Sequence, residues 1–160
     1  MKGFKTSVDY RTKATGDAAK DSALQAFGDH WRAVIQALEK QDSTWPALAQ
    51  TSAGRAYVRQ RDYVAQDTKR RVGSVGVLRL YSSAAMEIPA KAGAPRAMTV
   101  FSCGNEREWL SLDLRTGKTL PNDPEDHLNY ETSATVTETS AGVWKVTAFG
   151  ESIYGSGRCA

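Results

Sequence analysis

Lys69-Arg70-Arg71-Val72-Gly73-Ser74-Val75-Gly76-Val77-Leu78-Arg79-Leu80 is the stretch in which the chain changes period. Upstream, apolar residues recur every three or four positions. Leu24, Phe27, Trp31, Val34, Ile35 and Leu38 fall on one side of a helix. Asp21 or Ser22 is placed to cap its start, and it should end near Gln41-Asp42. A short helix is expected over Pro46–Gln50, because proline is tolerated in a first turn. Thr51-Ser52 forms a capping pair for a further helix, which carries Ala56, Tyr57, Gln60 and Val64 on one face. That helix runs out in the cations Lys69-Arg70-Arg71 and stops at Gly73.

Downstream of Gly73 the pattern alternates. Leu78, Leu80, Met86 and Ile88 share one parity, followed by Met98 and Val100, then by Leu110, Leu112 and Leu114. Tyr130, Ala134 and Val136 continue it, as do Trp144, Val146 and Ala148. Alternation marks antiparallel strands with one buried face. Turn signals at Ala92-Gly93-Ala94-Pro95, Thr116-Gly117, Asn122-Asp123-Pro124 and Ser140-Ala141-Gly142 separate them. The last pair, about 128–138 and 143–153, reads as a long hairpin. Helices followed by strands predict an α+β domain, with N-terminal helices packed on a curved antiparallel sheet of four to five strands. Residues 1–16 are polar and aperiodic and read as a flexible leader; residues 17–160 make the single domain.

The bulk properties narrow the function classes. The chain has 160 residues, 41% hydrophobic and 24% charged, with a formal net charge of +3. Such a chain is globular and long enough to bury a core. No apolar run approaches the ~20 residues of a membrane helix. Met1-Lys2-Gly3-Phe4-Lys5-Thr6 lacks the apolar segment of a signal peptide, so an exported form is expected to be mature or shortened. There is no phosphate-cradling glycine loop, no nucleophile elbow and no zinc-binding histidine motif. The series Arg55, Arg59, Arg61, Lys69, Arg70, Arg71 is diluted by Asp62 and Asp67 and has no aromatic platform, so it reads as a solvated helix face and not as a nucleic-acid site.

The residues that bear chemistry are few. Cys103 follows a strand pattern, and Cys159 ends a tail written Gly155-Ser156-Gly157-Arg158-Cys159. A bridge would fasten that tail; one buried thiol and one tail thiol is the alternative. Two cysteines alone do not make a zinc site. His30 reads as a partly exposed helix residue, and His127 as part of the acidic loop Asp123-Pro124-Glu125-Asp126. Asp62, close to Tyr57 and Tyr63, is spaced to pair with Arg59 or Arg55, and Glu131 has the parity of Asn129 and Ser133, away from the core. Trp31, Tyr57, Tyr63, Trp109 and Tyr130 are the candidate pocket or interface residues. Trp109 has the opposite parity to its leucine neighbours and is expected to be exposed, as at a protein-binding surface.

Three stretches carry a family likeness. They are Leu48-Ala49-Gln50-Thr51-Ser52-Ala53-Gly54-Arg55-Ala56; Val100-Phe101-Ser102-Cys103-Gly104-Asn105 with Leu112-Asp113-Leu114-Arg115-Thr116-Gly117-Lys118; and Gly142-Val143-Trp144-Lys145-Val146 with Cys159. In this order they resemble the cone-shaped nuclear-transport-factor-2-like superfamily, and more narrowly the small secreted proteins and lipoproteins of actinobacteria and their mobile elements. The chain departs from that pattern in having no lipid-attachment cysteine before the domain. It also has Ser102 and Gly104 where an aspartate often adjoins the strand cysteine.

The resemblance implies an exported protein with a Cys103–Cys159 bridge, worth about 4 kcal/mol by the chain-entropy model. No cofactor and no metal is expected. The functional expectation is a non-catalytic interaction module outside the cytoplasm. Such a module would be a surface or lipid-anchored accessory protein, or a scaffold subunit of an export or conjugation apparatus. Its partner would be another envelope protein or a second copy of the chain, and it would meet the membrane only through an N-terminal anchor. The alternative is a carrier of an apolar small molecule, or a ketosteroid-isomerase-like or cyclase-like enzyme, using the interior of the cone.

Overall fold

A computed structural model of the protein describes residues 5–121, 128–155 and 157–159. The elements run β1 (Thr6–Tyr10), α1 (Ala18–Lys40), α2 (Pro46–Thr51), α3 (Gly54–Arg70), β2 (Val72–Ile88), β3 (Ala97–Asp113), β4 (Lys118–Thr119), β5 (Asn129–Ser140), β6 (Val143–Phe149) and β7 (Ile153–Tyr154). The architecture is α+β, with the helices packed on one mixed sheet. Its main path is β1-β2-β3-β5-β6, with β4 beside β3 and β7 beside β5. The sheet thus has seven strands among the described residues, more than the four or five expected.

The additional strands are short, and one lies inside the expected leader. Thr6–Tyr10 pairs in parallel with Gly76–Leu80 and makes the sheet mixed. Its signal is a weak alternation of Thr6, Val8 and Tyr10: Thr6 is buried, and Val8 and Tyr10 pack against the main core. The Tyr10 hydroxyl donates to the Leu24 carbonyl at 2.9 Å and locks the strand to α1.

The helices begin and end for local reasons. Asp17, not Asp21 or Ser22, caps α1, its carboxylate accepting from the amides of Ala19 at 2.9 Å and Lys20 at 3.2 Å. Asp21 instead accepts from the Thr15 amide at 2.8 Å. Thr51 and Ser52 do not cap α3; their hydroxyls donate back to Ala47 and Leu48 of α2, and α3 begins at Ala53 without a side-chain cap. Arg71, in the left-handed conformation, ends α3 two residues before Gly73.

The core has two adjoining parts. Leu24 and Phe27 of α1 meet Leu78, Leu80, Met98, Val100, Val136 and Val146 of the sheet. Val34, Ile35 and Leu38 of α1 meet Leu48 of α2 and Val64 of α3. Each fully buried side chain of this size contributes about 1.5–3 kcal/mol.

Three β-bulges decide which residues reach that core. Between the pairs Val77–Glu108 and Arg79–Asn105, β3 carries one extra residue. Between Tyr81–Cys103 and Ala84–Phe101 the extra residue is in β2, where Ser82 adopts φ 51°. A third lies in β6, between Thr135–Ala148 and Val136–Val146. Each extra residue reverses the inward parity and bends the strand. The expected run Leu78, Leu80, Met86, Ile88 is therefore broken: Leu78 and Leu80 are buried, Met86 is 61% exposed, and Ala85 packs on the core instead. Phe149 takes the core place expected of Ala148 by the same cause. Trp109, expected at the surface, is turned inward and packs against both parts of the core.

The two cysteines form a disulfide. Phe101 and Cys103 have the opposite parity to the core residues Met98 and Val100, so the bridge lies on the sheet face turned away from α1. Tyr81 and Glu131 flank Cys103 in register. The Tyr81 hydroxyl donates to the Cys159 carbonyl at 2.9 Å, Arg158 pairs with Glu131 at 3.3 Å, and the Arg158 guanidinium sits 5.7 Å over Phe101. Glu131 thus faces away from the core as its parity predicts.

Gly76, with φ 104°, sits where β1 joins β2, and a Cβ there would collide with the Glu108 carbonyl oxygen. Gly76→Ala is expected to destabilise the protein by about 2 kcal/mol or more. Urea unfolding followed by far-ultraviolet circular dichroism would show it as a lower midpoint with an unchanged slope.

Candidate functional site

One cleft gathers most of the aromatic residues singled out in the sequence. Trp31 comes from α1. Arg59, Gln60 and Tyr63 come from one face of α3, at helical spacing. Glu106 and Trp109 come from β3, Tyr130 and Thr132 from one face of β5, and Ser152 and Tyr154 from the tail. The cavity volume is about 400 Å³. Trp31, Tyr63, Trp109 and Tyr130 are thus brought together, whereas Tyr57 is not. Tyr57 packs on the second part of the core, with the Arg61 guanidinium 6.0 Å from its ring.

Local geometry places these groups. Gly104 is the register partner of Tyr130, and any Cβ at Gly104 would run into the Tyr130 ring. The missing side chain lets that ring lie across β3 at the head of the cleft. Tyr154, carried on β7 opposite Tyr130, stacks at 5.9 Å with a 59° tilt. On the far side the Trp31 ring is 6.1 Å from Phe149, and the Arg59 guanidinium lies 5.7 Å over that same Phe149 ring. The bulge in β3 between Asn105 and Glu108 turns Trp109 inward; sequence alternation alone had assigned it outward.

The polar groups of the cleft divide into partnered and unpartnered ones. Burial, reinforced by the charge of Glu106 and a hydrogen bond to it, raises Tyr130 well above the usual phenol range. Burial, with the charges of Asp67 and Glu106 and a hydrogen bond to Asp67, raises Tyr63 likewise. Burial raises Asp67 itself, against the lowering by Arg70 at 3.9 Å. Both phenols therefore remain protonated at neutral pH. By contrast, the indole nitrogens of Trp31 and Trp109 are buried and have no hydrogen-bond partner among the described residues.

His30 is not part of this cleft. It is fully buried, contrary to the expected partial exposure, and lies 5.4 Å from the Phe149 ring. Its Nδ1 is 3.5 Å from the Thr51 hydroxyl, and its Nε2 has no partner among the described residues. His127 lies outside the described residues. Asp62 is exposed and pairs with its neighbour Arg61 at 3.4 Å, not with Arg59 or Arg55. Among the described residues there is no cluster of groups able to hold a metal ion. No helix among them is long and apolar enough to cross a membrane.

Two other hollows lack this combination. One of about 500 Å³ lies between α1 and the β5–β6 turn, where Asp21 and Asp29 already hold Thr15 and Arg32. The other, of about 620 Å³, lies under residues 11–15 beside the Ser82 bulge, and its Arg11 is engaged by Asp9.

No family model matches the chain, and no curated protein matches it either. Among solved structures, it is similar to the intermembrane space region of the chloroplast protein ARC6. The TM-score is 0.52 at 14% identity, over 90% of this chain and 98% of that one. At that identity the likeness bears on the fold alone, and it supports an α+β assignment.

The buried histidine gives a pH signature. Burial lowers its pKa from 6.5 to about 3 in the folded protein, while in the unfolded chain it protonates near 6.5. Between those values the unfolded chain binds one proton more than the fold. Its contribution to stability is full above pH 6.5 and is lost as the pH falls towards 3. Denaturant titrations at pH 8 and pH 5 should show the native protein losing about 2 kcal/mol more than His30→Leu over that interval.

Proposed function

We propose that the protein is a non-catalytic binding domain that works outside the cytoplasm, built as a nuclear-transport-factor-2-like cone, and that the aromatic cleft at its mouth is the working site. The single observation that carries this reading is the cleft itself: a hollow of about 400 Å³ walled by four aromatic side chains from α1, α3, β3 and β5. Ligand pockets have this character, an apolar wall with a few directed polar groups.

The Cys103–Cys159 disulfide supports the location, because such bridges persist in oxidising compartments. The quoted likeness to secreted proteins and lipoproteins of actinobacteria supports it further. The Glu106–Tyr130 pair is the set an isomerase-like or cyclase-like site would use. Here the phenol already hydrogen-bonds the carboxylate, which supports a structural role in the wall over an acid and a base placed on opposite sides of a substrate.

A second reading, docking of an envelope partner such as a component of an export apparatus, is favoured by the rim. Tyr63 and Tyr154 keep about a third to a half of their surface exposed there.

A thermal-shift screen of ring-containing small molecules tests the first reading. A ligand at one hundred times its Kd should stabilise the protein by about 2.7 kcal/mol, a shift of several degrees in Tm. That shift should vanish in Thr132→Trp, which fills the cleft from its floor. Absence of any stabilising molecule, together with an envelope protein retained by the native form and lost by Tyr154→Ser, would replace the first reading by the second.

A further inference from the structure

We propose that the edge of β2 beyond the end of β1 is a docking site separate from the aromatic cleft, where an extended, acidic segment of a partner protein adds to the sheet as a strand.

The sheet topology supplies the edge. β1 runs parallel to β2 and stops at the pair Tyr10–Leu80. The Arg11 amide donates once more, to the Leu80 carbonyl at 3.3 Å, and no backbone hydrogen bond joins residues 12–15 to β2. β2 itself runs on to Ile88, paired from there with β3 alone. Past the Ser82 bulge its register with β3 is unbroken from Ala84–Phe101 to Ile88–Ala97. In such a strand alternate residues turn both N–H and C=O away from the paired neighbour. Between Ser83 and Ile88 those groups have no protein partner among the described residues. A row of this kind is a template for another strand. Neither lysine nor proline interrupts it, as the bulge at Ser82 precedes it and Pro89 follows it.

The room for a strand is present, and its wall has one sign of charge. The hollow of about 620 Å³ lies between residues 11–15 and Tyr81–Ala85. Arg11, Lys13 and Lys20 line it, and no carboxylate does. Asp9 holds Arg11, but Lys13 and Lys20 make no ion pair among the described residues. The carboxylates of the same segment are occupied, Asp17 by the amides of Ala19 and Lys20 and Asp21 by Thr15. At the far end of the edge Glu87 is countered by Arg96 at 3.4 Å.

The two faces of an added strand would meet different surroundings. Ala85 packs on the core, so Ala84 and Met86 point to the outer face, where Met86 is 61% exposed. Lys20 belongs to α1, on the opposite side of the sheet. The segment that fits alternates acidic side chains towards α1 with apolar ones beside Ala84 and Met86.

The test uses the oxidised full chain, labelled with nitrogen-15, and synthetic peptides at low ionic strength. Acetyl-EVTVEVTV-amide has the proposed alternation, and acetyl-KVTVKVTV-amide reverses its charge. Two further forms of the first are N-methylated, one on every valine and one on every residue between them. An added strand turns only one of these two sets of N–H groups towards β2.

The acidic peptide should shift the amide signals of residues 83–88 and slow their exchange with solvent, while those of Tyr130 and Tyr154 in the cleft hold still. One N-methylated form should bind like the parent and the other should fail. The basic peptide should bind about tenfold more weakly. In Lys13→Glu/Lys20→Glu that preference should reverse, which also shows the variant to be folded. Equal behaviour of the two N-methylated forms would overturn strand addition. Equal affinity of the acidic and basic peptides would overturn the acidic class. Failure of every peptide to move residues 83–88 would overturn the site, and a dimer of the free chain in sedimentation equilibrium, abolished by Met86→Lys, would then assign the edge to a second copy. The thermal screen reads the cleft and is decided independently of all these outcomes.

Discussion

The bridge between Cys103 and Cys159 is the constraint on which the aromatic cleft of this protein depends. Residues 150–155 carry a glycine at each end, and Ile153 and Tyr154 between them are half exposed. A two-residue strand on the edge of β5 would not stay paired by its own hydrogen bonds. The disulfide, backed by the Tyr81–Cys159 hydrogen bond and the Arg158–Glu131 ion pair, holds the end of the chain on the outer face of the sheet. Ser152 and Tyr154 are thereby kept as one wall of the cleft on the other side. A covalent link on one face of the sheet therefore helps shape the cleft on the opposite face.

The sheet can have two such faces because it bends. The extra residues near Val77, Ser82 and Thr147 each add a kink, and Gly76 lets β3 approach β2 closely. The apolar side of α1 fills the resulting hollow with Leu24 and Phe27, and further along with Val34 and Leu38. Between these parts, where Trp31 and Trp109 meet α3, the filling is incomplete, and the cleft is the space left over.

Much of this was legible in the sequence, and what was not has one main cause. The helical faces of α1 and α3 follow a 3.6-residue period that nothing interrupts, so Leu24, Phe27, Ala56 and Val64 were assigned to the core and lie there. Strand parity survives only until the first bulge. Leu78 and Leu80 were placed inside and are buried, whereas Met86, Ala148 and Trp109 were placed by extending an alternation that a single extra residue had reversed. Ser82 in β2 gives no composition signal for its left-handed conformation. The strand Thr6–Tyr10 was hidden by brevity, and His30 by a polar name on an apolar face. Of the five aromatic residues proposed for a pocket, four meet because each sits on an inward face; Tyr57, one position off the Ala56–Gln60 stripe, turns to the other part of the core. The cysteine pairing was a matter of family likeness and of a tail with no other reason to be ordered, and the sulfur atoms are joined.

Peptide mapping of the non-reduced protein tests the fastening of the tail most directly. After tryptic digestion, the peptide Ala97–Arg107 should carry the terminal dipeptide Cys159-Ala160 through a disulfide, and neither cysteine should take up an alkylating reagent until reductant is added. Recovery of both cysteines alkylated before reduction would contradict the strap, the cleft wall it supports and the oxidising location together.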